Sequence, residues 1–194
     1  MPAMTCSMEI VLVRHGRVAF DRRARVHQPD LAARLAQFRE AGIVQGTIPP
    51  PKVRRLAERV AHLTSSDLPR AVESARALAR SQPVPADALF READVPPDLP
   101  LPLPLRFSTW VALGRLAWLL GYTSQCESGR QVRERARRAA LRLAQLASQH
   151  GSVMLVGHGY FNILLARELR RLGFQGPRLG PRRNWSAARF CKPR

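Results

Sequence analysis

Two histidines stand at the ends of short apolar runs. His15 follows Val11-Leu12-Val13-Arg14 and precedes Gly16, and His158 lies between Gly157 and Gly159 after Val153-Met154-Leu155-Val156. A neutral imidazole nitrogen is a competent nucleophile toward phosphorus. Arginine carries a planar fork that binds phosphate oxygens in pairs and stays charged at any working pH. Glycine beside each histidine lets the backbone turn sharply and lets a ligand come close. Either histidine alone is as readily a satisfied core residue, whereas the pair together with Arg14 points to a site. His27, His62 and His150 have no metal-ligand spacing to one another or to carboxylates, so they read as surface or capping residues and no metal site is expected. Cys6, Cys126 and Cys191 are odd in number and contain no C-x-x-C pair. They read as reduced thiols of a cytoplasmic protein rather than as a disulfide framework.

The elements that position the histidines follow from hydropathy. Met8–Val13 and Val153–Val156 are β-branched apolar runs that predict buried strands. Helical spacing predicts helices over Leu31–Ala41, Lys52–Leu63, Ser108–Leu120, Ser128–Gln149 and Tyr160–Arg171. Thr64–Asp67 has N-cap character and Pro69 suits a first helical turn, so a helix is expected over Arg70–Arg80. Residues 17–29 and 42–51 read as loops. The stretch 81–104 is too rich in proline for one regular element, although a short strand fits around Ala88–Phe90. Asn184–Phe190 suits a last edge strand, and Glu127-Ser128 suits a cap for the long helix. Strands alternating with helices imply an α/β fold: a single domain over 1–194, with a mostly parallel sheet flanked by helices on both faces. Residues 1–7 form a tail, and 93–126 form a Pro-rich and apolar helical cap within the domain. The helix bearing Trp110 and Trp118 is either core or a mobile apolar flap over the site, the latter favouring a substrate with a hydrophobic part. In a parallel sheet, neighbouring strand C-termini open on one crevice, which brings the two histidines together.

The chain has 194 residues, 45% hydrophobic and 24% charged, the balance of one globular domain. Its formal net charge is +18, and all but Lys52 and Lys192 of its 32 cationic residues are arginine. That balance suits anionic partners such as nucleic acid, acidic membrane surfaces or phosphorylated substrates. The cations are scattered over helices (Arg133, Arg135, Arg137, Arg138, Arg142) with no aromatic run of the RNA-binding kind and no zinc-finger spacing, which argues against nucleic acid. The apolar stretch Phe107–Tyr122 is interrupted and too short for a membrane span. The N-terminal sequence lacks the charged start of a secretion signal.

Three segments carry a family resemblance. Val11-Leu12-Val13-Arg14-His15-Gly16, Ser65-Ser66-Asp67-Leu68-Pro69-Arg70-Ala71 and Val156-Gly157-His158-Gly159 resemble, in order, the signatures of the histidine phosphatase (phosphoglycerate mutase-like) superfamily. The resemblance implies that His15 is the nucleophile that becomes phosphorylated, with Arg14, Arg70 and His158 gripping the phosphoryl oxygens. It places the proton donor at Glu92, and it puts Asp21 where many members carry an asparagine that contacts phosphate.

These implied roles make chemical sense. Flanking guanidinium groups disfavour the imidazolium form of His15. A cationic His158 would add charge to the transition state. Backbone N–H groups of Gly16 and Gly159, with the helix N-terminus after His158, would add donors. A phosphate dianion beside Glu92 would favour its protonated form. No cofactor is implied. The expected activity is that of a metal-independent phosphomonoesterase of the histidine acid phosphatase type, acting on a small or partly apolar phosphorylated molecule. A phosphoglycerate mutase-like phosphotransferase and a catalytically silent, basic nucleic-acid-binding protein are the alternatives.

Overall fold

The computed structural model describes residues 6–79 and 83–193. Its elements run β1 (Cys6–Arg14), β2 (Arg25–Val26), α1 (Leu31–Glu40), α2 (Pro51–Ala57), β3 (His62–Ser66), α3 (Pro69–Arg76) and β4 (Ala86–Asp87). They continue with β5 (Leu105–Arg106), α4 (Phe107–Leu119), α5 (Gly129–His150), β6 (Ser152–Gly157), α6 (Gly159–Arg171) and β7 (Ala187–Pro193). Residues 1–5 of the expected tail, Arg80 and Arg194 lie outside the described residues. Residues 6 and 7 already belong to β1.

The main sheet has the order β4-β3-β6-β1-β7, with every pairing parallel except β1 with β7. Successive side chains of a strand point to opposite faces. Ile10, Leu12, Val153 and Leu155 accordingly pack under α5 and α6, while Val11, Val13, Met154 and Val156 pack against α2 and α3. All eight are fully buried. This two-sided burial explains why β1 and β6 read as unbroken apolar runs. A third apolar cluster, built on Val26, Leu31, Leu99, Phe107 and Trp110, joins α1 to α4 beside the sheet. Ser128 caps α5: its Oγ accepts from the Gln131 N–H, while Gln131 Oε1 accepts from the Ser128 N–H. Among the described residues no helix is long and apolar enough to cross a membrane.

Several expectations need correction. The helix expected over 52–63 stops at Ala57, and His62–Ser66 is a strand between β4 and β6. Thr64, Ser65 and Ser66 carry no apolar signal, yet they are buried there because the ladders on both sides satisfy their backbone. Ala88–Phe90 is a 3-10 turn, and the short strand lies just before it. The edge strand begins at Ala187 rather than Asn184. Cys6 and Cys191 form a disulfide, with Cα atoms 5.5 Å apart, and Cys126 is the free cysteine. The antiparallel register of β1 with β7 brings together two residues 185 positions apart, a proximity that cysteine spacing cannot reveal. The argument for a reducing compartment from unpaired cysteines thereby loses its basis.

Candidate active site

The parallel register places Arg14 opposite Gly157, so the residues that follow, His15 and His158, leave the sheet side by side. Their ring centroids are 5.2 Å apart. Arg14, His15, Arg70, Glu92 and His158 all line one cavity of about 330 Å³. Asp21, Gly16 and Gly159 do not.

His15 is 4% exposed, and its Nδ1 lies 2.7 Å from the Gly16 carbonyl oxygen. A carbonyl only accepts, so Nδ1 carries the proton and Nε2 keeps its lone pair. Burial, reinforced by the charges of Arg70 and Arg14, lowers the pKa of His15 to about 3. His158 is fully buried, and among the described residues neither of its ring nitrogens has a hydrogen-bond partner. Burial, with His15, Arg70 and Arg14 nearby, holds its pKa well below the ordinary histidine value. The expected cationic His158 is therefore corrected to a neutral one, because burial and the neighbouring cationic side chains both disfavour its charged form.

The two arginines are held from behind. Arg70, 4% exposed, donates from Nη1 to the Phe38 and Arg39 carbonyls (3.2 Å each) and lies over the Phe38 ring. Arg14 donates from Nη1 to the Arg182 carbonyl. The Nε atoms of both are buried without a partner among the described residues. Desolvation brings the pKa of Arg70 down to about 10 and lowers that of Arg14, and both stay charged. Unpaired donors from two guanidinium groups, beside two neutral imidazoles, suit a tetrahedral oxyanion.

Glu92 is tied to the start of α6. Its oxygens accept from the backbone N–H groups of Tyr160 (3.0 Å) and Phe161 (2.8 Å). The helix N-terminus expected to donate to phosphate thus binds this carboxylate, a favourable placement for negative charge. The segment carrying Glu92 is clamped by Arg135 of α5, whose Nη1 donates to the Arg91 carbonyl (2.7 Å) and whose guanidinium pairs with Glu127.

Gly16 and Gly159 are tight spacers outside the cavity lining. The Gly16 N–H donates to Ser74 Oγ (2.8 Å), and a Cβ there would sit 2.7 Å from the Trp185 ring. A Cβ on Gly159 would press on the Arg14 guanidinium at 3.3 Å. Asp21 is exposed, and its Oδ1 accepts from the N–H groups of Arg23 (2.8 Å) and Ala24 (3.3 Å). Asp21 is thus engaged by its own turn outside the cavity, and the next residue, Arg22, lines the cavity instead. Trp110 and Trp118 are buried, their Nε1 atoms donating to the Val26 and Glu127 carbonyls. They are core, and the same helix shows Val111 and Arg115 to the cavity.

Sequence reasoning missed Asn184. Its Nδ2 donates to the carbonyls of both His15 and Gly16, 2.9 Å each. Around it, the Trp185 N–H donates to the Arg14 carbonyl and the Arg14 N–H donates to the Ser186 carbonyl. Asparagine followed by a tryptophan with φ of 57° marks a tight turn, but nothing local shows which strand end it holds. Arg135 was legible: it falls in the helical stripe of Val132, Ala136 and Ala139. No group of three or more histidine, cysteine or acidic side chains able to hold a metal ion occurs among the described residues.

No curated protein sequence gives a significant match to the chain. Solved structures share its fold. A mycobacterial glucosyl-3-phosphoglycerate phosphatase is 22% identical, with 84% of this chain and 80% of that one covered and a TM-score of 0.56. A phosphoserine phosphatase from Entamoeba histolytica is 14% identical, with 93% and 89% covered and a TM-score of 0.57. A putative alpha-ribazole-5'-P phosphatase from Escherichia coli is 17% identical, with 86% and 80% covered and a TM-score of 0.55. The architecture is the phosphoglycerate mutase-like α/β fold. The model of the histidine phosphatase superfamily (branch 1) matches residues 10–190, from β1 into β7, and the chain belongs to that family.

Proposed function

We propose that the protein is a phosphomonoesterase working through a phosphohistidine, with residues 1–194 as one functional unit and 93–126 as its cap. The observation that carries this reading is a buried, neutral His15 with Nδ1–H bound to a carbonyl and Nε2 free, in one cavity with Arg14, Arg70, His158 and Glu92. Nε2 attacks phosphorus as the bond to the ester oxygen breaks, and that oxygen takes the proton of the Glu92 carboxyl. Water then attacks the phosphohistidine, giving a proton to the Glu92 carboxylate, and phosphate leaves with His15 restored. Arg14, Arg70 and His158 hold the equatorial oxygens, and the arginines supply the positive charge that magnesium supplies in other phosphoryl transfers. An imidazole unprotonated down to about pH 3 suits an acid-type phosphatase.

The named neighbours act on a glucosyl-3-phosphoglycerate, a phosphoserine and an alpha-ribazole phosphate, which supports a phosphorylated small molecule as substrate. The test is hydrolysis of phenyl phosphate by wild type and His15→Ala, with and without chelator, alongside acid-quench trapping of labelled phosphohistidine. Loss of about a thousandfold or more in the variant, no trapped label in it and indifference to chelator are expected. An active His15→Ala protein would overturn the reading.

A further inference from the structure

Helix α4 is apolar on every side. Phe107, Trp110, Gly114 and Trp118 are buried against the domain. On the opposite face Ala112 is exposed, and Leu116, Leu119 and the following Leu120 are 55%, 59% and 81% exposed. The one charged residue of the helix, Arg115, is turned inward, where it donates to the Ala93 and Asp94 carbonyls. A surface helix of a soluble domain has the reverse pattern, with its charges outward. A ridge of exposed leucines marks a surface that is covered in use. With 13 residues the helix is about 20 Å long. That falls short of the roughly 30 Å needed to cross a bilayer and suits a helix lying in its plane.

The ridge ends beside a basic groove. A Cβ on Gly129 would lie 3.8 Å from the Trp118 ring and 3.3 Å from the Arg133 guanidinium, so the last turn of α4 adjoins the start of α5. Arg130, Arg133 and Arg137 of α5 line one groove with Arg167 and Arg171 of α6, alongside Glu134 and Glu168. All five arginines are exposed, and among the described residues only Arg171 is paired, with Glu168 at 2.6 Å. Cations exceed anions there by three.

We propose that this surface docks on an anionic lipid bilayer. The α4 leucines enter the interfacial layer, and the arginines of the α5–α6 groove receive the headgroup phosphates. The two surfaces together select the occupant. A nucleic acid would satisfy the arginines and leave the leucines in water. A second copy of this chain would bring its own net charge of +18 against the groove. A bilayer containing anionic lipid covers the leucines and neutralises the arginines at once. Val111 and Arg115 of the same helix face the cavity, so docking holds the cavity about one helix diameter, ~10 Å, from the membrane surface.

The test is co-sedimentation of the full chain with vesicles of phosphatidylcholine alone and of phosphatidylcholine with about one-third phosphatidylglycerol. Wild type is expected to bind the anionic vesicles at least about tenfold more tightly than the neutral ones, and less tightly as salt is added. Leu119→Ser combined with Leu120→Ser weakens binding by about tenfold or more. Arg130→Gln, Arg133→Gln and Arg137→Gln together weaken it by about a hundredfold. Arg54→Gln, Arg55→Gln and Arg59→Gln remove the same charge from exposed positions on and after α2, which packs on the other face of the sheet, and keep binding within about threefold. Circular dichroism and melting temperature check that each variant folds, and the arginine variants, which change exposed side chains only, decide the matter should the leucine variant unfold. Absence of binding to anionic vesicles, equal binding to neutral ones, undiminished binding by the folded leucine variant or by the α5 arginine variant, or an equal loss in the α2 set would overturn the proposal. So would a dimer in light scattering that the leucine substitutions dissociate, or tighter binding to duplex DNA than to the vesicles. None of these readouts requires catalysis, so failure here and failure of the phosphatase reading are separate results.

Discussion

Burying a neutral His15 has a cost that depends on pH. Its pKa falls from the ordinary 6.5 to about 3 in the folded chain, chiefly through desolvation and the charge of Arg70. Below pH 6.5 the unfolded chain takes up a proton at this residue that the folded chain refuses until about pH 3. Stability from this group is therefore complete above neutrality and declines as pH falls through that window. Between pH 7.5 and pH 5 the loss is about 2 kcal/mol from His15 alone. For a chain of this length that corresponds to a fall in Tm of about 4–8 °C. His15→Gln keeps a polar side chain of similar size and cannot titrate, while the carboxylates and His158 remain in both proteins. Thermal melts of the two at pH 7.5 and pH 5 isolate the term as a difference of differences. Wild type should lose about 2 kcal/mol more than the variant. Parallel losses would show that His15 is not held neutral by burial, and the account of its reactivity would fall with it.

Glu92→Gln should slow hydrolysis of alkyl phosphates by about a hundredfold or more and of 2,4-dinitrophenyl phosphate far less, since a good leaving group needs no proton; equal losses would remove Glu92 as donor. Asn184→Ala frees the His15 and Gly16 carbonyls, and should lower kcat on phenyl phosphate by about tenfold while leaving inhibition by inorganic phosphate little changed; an unaltered kcat would reduce Asn184 to a structural tie. Asp21→Ala should cost about 1 kcal/mol in denaturant melts through the lost turn and keep kcat/KM on phenyl phosphate within about threefold; a large loss of activity would restore the phosphate contact. Reducing the Cys6–Cys191 disulfide should lower unfolding stability by about 2–4 kcal/mol, read from urea melts with and without reductant; coincident curves would refute that.

Sequence alone was most informative where one residue type has one physical use. The apolar runs 8–13 and 153–156 can only be two-sided strands, and their register brings His15 and His158 together without further information. The cap at Ser128 was likewise visible, although its reciprocal partner Gln131 was not read. The strand His62–Ser66 was not, because its stabilisation comes from ladders on both sides rather than from its side chains. Asp21 and Arg22 show a subtler limit. Position in a motif suggests that Asp21 meets phosphate, but an aspartate can satisfy its own turn, and doing so presents the next residue instead. Arg135 was lost among many arginines although its place in the apolar stripe marks it as buried. Asn184 and the Cys6–Cys191 disulfide depend on where the last strand returns, which no local pattern encodes.

That return also sets an order of events. His15 is synthesised 169 residues before Asn184, whose turn holds the His15 and Gly16 carbonyls. β1 is the second-last strand of the finished sheet, and both of its partners, β6 and β7, are made late. Until β6 and β7 follow, the Arg14-His15-Gly16 segment lacks both neighbours that bury it. The burial proposed to make His15 reactive thus depends on pairing between segments far apart in sequence, and it is complete only once β6 and β7 have joined β1.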